Sequence, residues 1–112
     1  MQSGNLKSGL PTLTSADPEW FDTLVRTPNA RVERILSLGQ TTPQGQWYDQ
    51  TDDEFVVLLE GAARLQIEGE SEERALQSGD WLMLPAHCRH RVTWTDPERP
   101  TLWLALHLTP KP

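Results

Sequence analysis

Lysine is almost absent from this chain. Only Lys7 and Lys111, with eight scattered arginines, stand against sixteen acidic side chains in 112 residues. A phosphate-backbone binder needs a concentrated set of Lys and Arg to release counterions. With a net charge of −6 and a pI near 4.9, nucleic acid is excluded as a partner. Long apolar runs are missing too: the longest, Phe55-Val56-Val57-Leu58-Leu59 among them, have five residues, whereas a spanning helix needs about 20, so no membrane partner is expected. The opening stretch Met1-Gln2-Ser3-Gly4-Asn5-Leu6-Lys7 lacks the charged start and apolar segment of a secretory signal. Cys88 is the single cysteine, which excludes an internal disulfide and suits a reducing, cytoplasmic location. No glycine-rich phosphate cradle, Cys-x-x-Cys pair or Gly-x-Ser-x-Gly elbow is present. A chain of this length builds one core and hence one domain.

What the chain does contain is organised in two stretches. Residues 1–29 read as an N-terminal arm followed by one short helix. The arm is rich in Gly, Ser, Thr and Pro, with Leu6, Leu10 and Leu13 as isolated anchors. Asp17-Pro18-Glu19 has the order of a capping residue, a first-turn proline and an acidic group at the dipole's positive end, and Trp20, Phe21, Leu24 and Val25 follow at helical spacing. Residues 30–112 change texture. Short runs rich in Val, Ile, Leu and Trp lie at 31–38, 54–59, 63–68, 74–76, 80–84, 88–94 and 101–108, divided by turn signals such as Thr42-Pro43-Gln44-Gly45, Glu60-Gly61 and Ser78-Gly79-Asp80. Closely spaced short strands of this kind predict an all-β sandwich or barrel.

Alternation within Arg89–Trp94 puts His90, Val92 and Trp94 on the apolar, inward face, and places Cys88 there as a small filler. The run Phe55–Leu59 is apolar on both faces, so both sides are expected to be covered, the outer one by a helix or a second subunit. His107, with Trp103 and Ala105 on its face, reads as a structural hydrogen-bond partner. The acidic stretch Glu68, Glu70, Glu72 and Glu73 reads as a solvated hairpin tip, and Asp49, Asp52 and Asp53 as a surface loop.

Two motifs carry a family resemblance. Gly45, Glu54 and Gly61 keep the spacing of the first signature of the cupin superfamily, and Gly79, Pro85 and His90 keep that of the second. The resemblance implies a small cupin-like β-barrel of jelly-roll type, preceded by the arm and the short helix. It also implies a ligand pocket inside the barrel. In the family pattern two histidines of the first signature, a Glu and the last His chelate one divalent metal. Here Tyr48-Asp49-Gln50 fills the His-x-His slot, so Tyr48 and Gln50 stand where two ligands are expected while Glu54 and His90 remain. His87 takes the place of the second signature's inner glycine, and Trp94 that of its closing Asn.

The resemblance therefore leaves two readings open. In the first, a pocket lined by Tyr48, Gln50, Glu54, His90 and Trp94 holds a small molecule. In the second, Glu54, His90 and His87, with Gln50 as a weak oxygen donor, hold one divalent ion (Zn, Fe, Mn or Ni) for isomerase, lyase or dioxygenase chemistry, with Tyr48 as the candidate acid/base. An acidic protein is expected to hold a cationic or hydroxylated ligand more readily than an anion. The small core and the two-sided apolar strand lead to the expectation of a homodimer.

Overall fold

The structure is a computed structural model, and it describes residues 1–111. Eight strands follow one another: β1 (Trp20–Arg26), β2 (Ala30–Ser37), β3 (Asp53–Glu60), β4 (Ala62–Ile67), β5 (Arg74–Gln77), β6 (Trp81–Leu84), β7 (His90–Thr95) and β8 (Thr101–Leu108). They form two antiparallel sheets, ordered β1-β2-β8-β3-β6 and β5-β4-β7. Among the described residues there is no helix, and so none long and apolar enough to cross a membrane.

The helix expected after Asp17 is thus corrected to an edge strand. Trp20, Phe21, Thr23 and Val25 are aromatic or β-branched and suit a pleated surface, and a helix of two to three turns is marginal without strong packing. Pairing with β2, in a register that sets Trp20 opposite Leu36 and Asp22 opposite Arg34, satisfies the backbone instead. Arg34 fixes this edge: its guanidinium pairs with Asp22 at 2.8 Å and lies 5.3 Å from the Trp20 ring centroid. Asp17 does cap a turn, but an upstream one, accepting the Thr14 N–H at 2.7 Å. The arm is held against the sheet, with the Leu6 and Ser8 carbonyls accepting from Arg34 at 2.9 and 2.6 Å and Lys7 paired with Glu60.

Alternation along the strands positions the interior. Inward residues of β3 run Glu54, Val56, Leu58, and those of β8 run His107, Ala105, Trp103 from the same end, with His107 directly opposite Glu54. One end of the barrel is therefore polar and the other apolar. The apolar end is filled by Val56, Leu58, Leu65, Leu76, Leu84 and Trp103, among others, packed between the two sheets. The polar end stays open.

Candidate functional site

A cavity of about 590 Å³ occupies that polar end. Its position follows from three elements. The segment between β2 and β3 runs back along β7: the Thr42 N–H donates to the Val92 carbonyl at 2.9 Å, and the Tyr48 N–H to the His90 carbonyl at 2.7 Å. The reciprocal His90 N–H to Tyr48 carbonyl bond (3.1 Å) completes a one-pair bridge that lays the Tyr48 ring against the His90 ring, centroids 5.4 Å apart. Two residues on, Gln50 accepts the His87 N–H at 2.7 Å, and its side-chain amide donates to Glu54 Oε1 at 3.1 Å.

Glu54 and His90 meet as the sequence leads one to expect. They are 7% and 6% exposed, both line the cavity, and His90 Nε2 lies 3.8 Å from Glu54 Oε1. That separation exceeds a hydrogen bond. The His90 ring is oriented from its other nitrogen, with Nδ1–H donating to the Cys88 carbonyl at 2.8 Å. In the neutral ring this leaves Nε2 as a bare acceptor facing the carboxylate. Cys88 packs against the core as the filler expected of it.

Two expected site residues are not there. His87 is turned out to the surface, its side chain 66% exposed and its Nδ1 2.8 Å from Asp49 Oδ1. Its backbone has φ of 64°, a left-handed conformation that ends the Pro85-Ala86 turn and aims the side chain away from His90. Trp94 is likewise exposed, its ring 5.7 Å from the Arg64 guanidinium. The cause is a bulge: Leu65 pairs with Val92 and Arg64 with Trp94, so Thr93 is an extra residue and the alternation slips by one. Trp94 is flipped outward and Thr95 is buried in its place. Trp47 packs outside the cavity as well, between the Arg89 and Arg91 guanidinium groups at 5.5 and 6.0 Å from its ring.

Other residues line the cavity that strand patterning and the two signatures did not single out. Glu33 on β2 accepts a hydrogen bond from His107 Nε2 at 2.9 Å, both residues being buried in the cavity wall, and Arg31 Nε lies 3.7 Å from Glu33 Oε2. Glu19, Phe21, Asp49 and Asp52 also line the cavity. The loop Asp49–Asp53 is thus partly a cavity rim and not only surface; Asp53 anchors it by accepting the Ala86 N–H at 2.8 Å. The alternation Arg31, Glu33, Ile35 along one face of β2 was the available signal.

The electrostatics are predominantly negative, with Arg31 the one Lys or Arg side chain against five carboxylates in the lining. Burial, opposed by the Ser37 hydroxyl that donates to it and reinforced by the Glu33 charge, pushes the Glu19 carboxyl above its ordinary value. Burial first, then the charges of Glu19, Glu54 and Glu33, push the Tyr48 phenol up, against the Thr42 hydroxyl. Tyr48 is therefore a hydrogen-bond donor at neutral pH and not a base. For a divalent ion the donor set does not fit: Glu54 and His90 are two ligands, Gln50 offers its N–H to Glu54, and His87 is outside. Among the described residues, no group of three or more His, Cys, Asp or Glu could hold a metal.

A family model described as Cupin domain matches residues 36–107. No curated protein matches the chain. Among solved structures, a Ralstonia eutropha JMP134 protein provisionally named a mannose-6-phosphate isomerase is 44% identical, with a TM-score of 0.92 over 98% of this chain and 100% of that one. A cupin superfamily protein from Desulfitobacterium hafniense DCB-2 shares the fold at 15% identity and a TM-score of 0.76, covering 98% of this chain and 94% of that one. KdgF from a Halomonas species does so at 21% and 0.68, covering 86% and 85%.

Proposed function

The chain belongs to the cupin family, and on that premise we propose that it binds a small organic molecule in the barrel cavity through Glu54, His90, Gln50 and Tyr48, with no resident metal ion. The observation that carries this reading is the facing pair His90 Nε2 and Glu54 Oε1, buried at 3.8 Å on the wall of a roughly 590 Å³ space. The pair is too far apart to satisfy itself and too poor in neighbouring ligands to hold an ion. A group inserted there completes the hydrogen bonding of both. The name carried by the Ralstonia relative points to a phosphorylated sugar, but Arg31 is the single Lys or Arg lining this cavity, against five carboxylates. A phosphate finds little to bind there.

The test is a thermal-shift screen of a small-molecule library on untagged protein, with elemental analysis of the same sample. The expected result is under ~0.2 equivalents of any transition metal and at least one ligand whose stabilisation disappears in Glu54→Gln and in His90→Phe. Stoichiometric metal that is lost in both variants overturns the metal-free reading. Ligands that stabilise the variants as well as the parent overturn the placement of the site.

We further infer that the protein pairs with a second copy through the outer face of β6-β3-β8. Two cross-strand rows lie side by side there, Met83-Phe55-Leu106 and Trp81-Val57-Leu104. Trp81 is 60% exposed, its ring stacked on Phe55 with centroids 5.3 Å apart. For two copies each carrying −6, this uncharged patch is the surface on which approach meets least repulsion.

A further inference from the structure

Five carboxylates, those of Glu19, Glu33, Asp49, Asp52 and Glu54, line the cavity beside apolar residues such as Ile35, Val56 and Leu84. In the neutral rings His90 donates its Nδ1–H to the Cys88 carbonyl, which leaves Nε2 bare, and His107 donates its Nε2–H to Glu33, which leaves Nδ1 bare. His107 Nδ1 is buried and has no partner, although the residue is only 5% exposed and lines the cavity. Glu54 lies directly across from His107 on the neighbouring strand, and its Oε1 is 3.8 Å from His90 Nε2. Glu33 and Glu19 add further carboxylates to the same wall. An orphaned buried acceptor costs free energy until a donor arrives.

From this we propose that the ligand of the cavity is an organic cation, an amine whose ammonium group sits among Glu54, Glu33, His90 and His107. The proposal rests on the cavity-binding reading above and names its substrate class. An ammonium is the group that donates three hydrogen bonds and accepts none. A hydroxyl brings one donor together with lone pairs that find few donors here, and a carboxylate or phosphate brings acceptors to acceptors. Aromatic faces complete the match: Phe21, Tyr48 and Trp103 line the same space, and their ring faces attract a positive charge. The field is concerted, since Glu19, Glu54 and Glu33 all act on the Tyr48 hydroxyl. Arg31 is held near Glu33 and offsets one of these charges.

Calorimetric titration with three five-carbon probes tests it: cadaverine, pentanediol and glutarate, which match in length and differ in charge. At low salt, cadaverine is expected to bind at least about tenfold more tightly than pentanediol, and glutarate not at all. Glu54→Gln and Glu33→Gln are each expected to weaken cadaverine about tenfold. Glu72→Gln combined with Glu73→Gln, at the exposed hairpin tip, is expected to leave it unchanged. His107→Gln retains a donor towards Glu33 and removes the Nδ1 acceptor; it is expected to weaken the diamine while keeping the thermal midpoint.

Cadaverine binding that falls equally in the surface variant is attraction to an acidic protein and overturns the proposal. Pentanediol or glutarate binding as tightly as the diamine, and sensitive to Glu54→Gln, overturns the cation class but leaves the cavity as the site. Diamine binding insensitive to Glu54→Gln overturns both. Silence with all three probes overturns the cation class, and the library screen then decides the cavity reading by itself.

Discussion

Replacing Gly61 by alanine should be far more damaging than replacing Gly79, although both glycines have positive φ. Gly61 lies at 99° in the tight turn from β3 to β4, and Gly79 at 94° in the turn into β6. Left-handed backbone costs an L-residue about 1–2 kcal/mol, and Gly79→Ala is expected to lose that much and no more, because a Cβ there meets nothing within 4 Å. A Cβ on Gly61 falls on the Thr101 hydroxyl, 2.7 Å from Thr101 Cα and 2.9 Å from the Pro100 carbonyl oxygen. Two of those neighbours are backbone, so the start of β8 must move. Its movement breaks the bonds between Thr101 Oγ1 and the Ala62 N–H and carbonyl, at 3.3 and 3.2 Å.

Two such bonds are together worth about 2 kcal/mol, and the residual crowding adds about 1 kcal/mol or more. Gly61→Ala is therefore expected to cost roughly 4–5 kcal/mol, a large part of the stability of a domain this size. Equilibrium urea unfolding followed by tryptophan fluorescence reads both variants. The Gly61→Ala midpoint should lie more than ~1 M below that of Gly79→Ala. Equal losses would show that φ alone governs both turns and would falsify the close-approach argument.

Four further outcomes follow from the same geometry. His87→Gly is expected to stabilise the protein by about 1 kcal/mol, because it relieves a left-handed His and forfeits only an exposed ion pair with Asp49; an equal loss in urea unfolding means that the pair holds the loop. Glu33→Ala is expected to cost about 1–3 kcal/mol, since it strips the buried His107 Nε2–H of its one partner, and Glu33→Gln clearly less; near-equality of the two in the same assay counts against the pair. Glu19 has a folded-state pKa above its ordinary 4.5, so its contribution to stability is full below that value and lost as pH rises through the raised one. Glu19→Gln should thus gain on the parent as pH climbs from 4.5, and a gap that shrinks refutes the assignment. Light scattering at micromolar concentration should give about twice the 12.7 kDa chain mass, falling to the single-chain value in Trp81→Glu; a monomeric parent removes the dimer.

Much of the barrel was legible because strand patterning and turn chemistry agree locally. The run 101–108 became β8 residue for residue, and the others fell within a few positions. Reading failed where one residue changes the phase or the partner. Thr93 is invisible as a bulge in a run that alternates well, yet it moves Trp94 from cavity to surface. The segment after Asp17 has capping residues in helical order, but a free edge on β2 was there to accept Trp20–Arg26 as a strand, and only tertiary structure reveals that edge. Glu54 and His90 were found through family spacing. Glu33 and His107 stand outside both signatures and come together only through the β2-β8 pairing.

That pairing explains how an acceptor-lined cavity coexists with a stable barrel. Along β2, β3 and β8 the inward positions change from polar to apolar within two steps: Glu33 to Ile35, Glu54 to Val56, His107 to Ala105. The change is level between β3 and β8, where Glu54 faces His107 and Val56 faces Ala105, and it comes one step later on β2, where Glu33 faces Ala105. Beyond these groups Leu58, Ala63 and Leu76, which do not line the cavity, pack in the core, and burial there supplies the stability on which the open end draws. Ligand positions of the first signature can then change to Tyr48 and Gln50 at little cost to the fold. The carboxylates and histidines gather at the open end, while Val56, Leu65 and Trp103 belong both to the core and to the inner wall of the cavity.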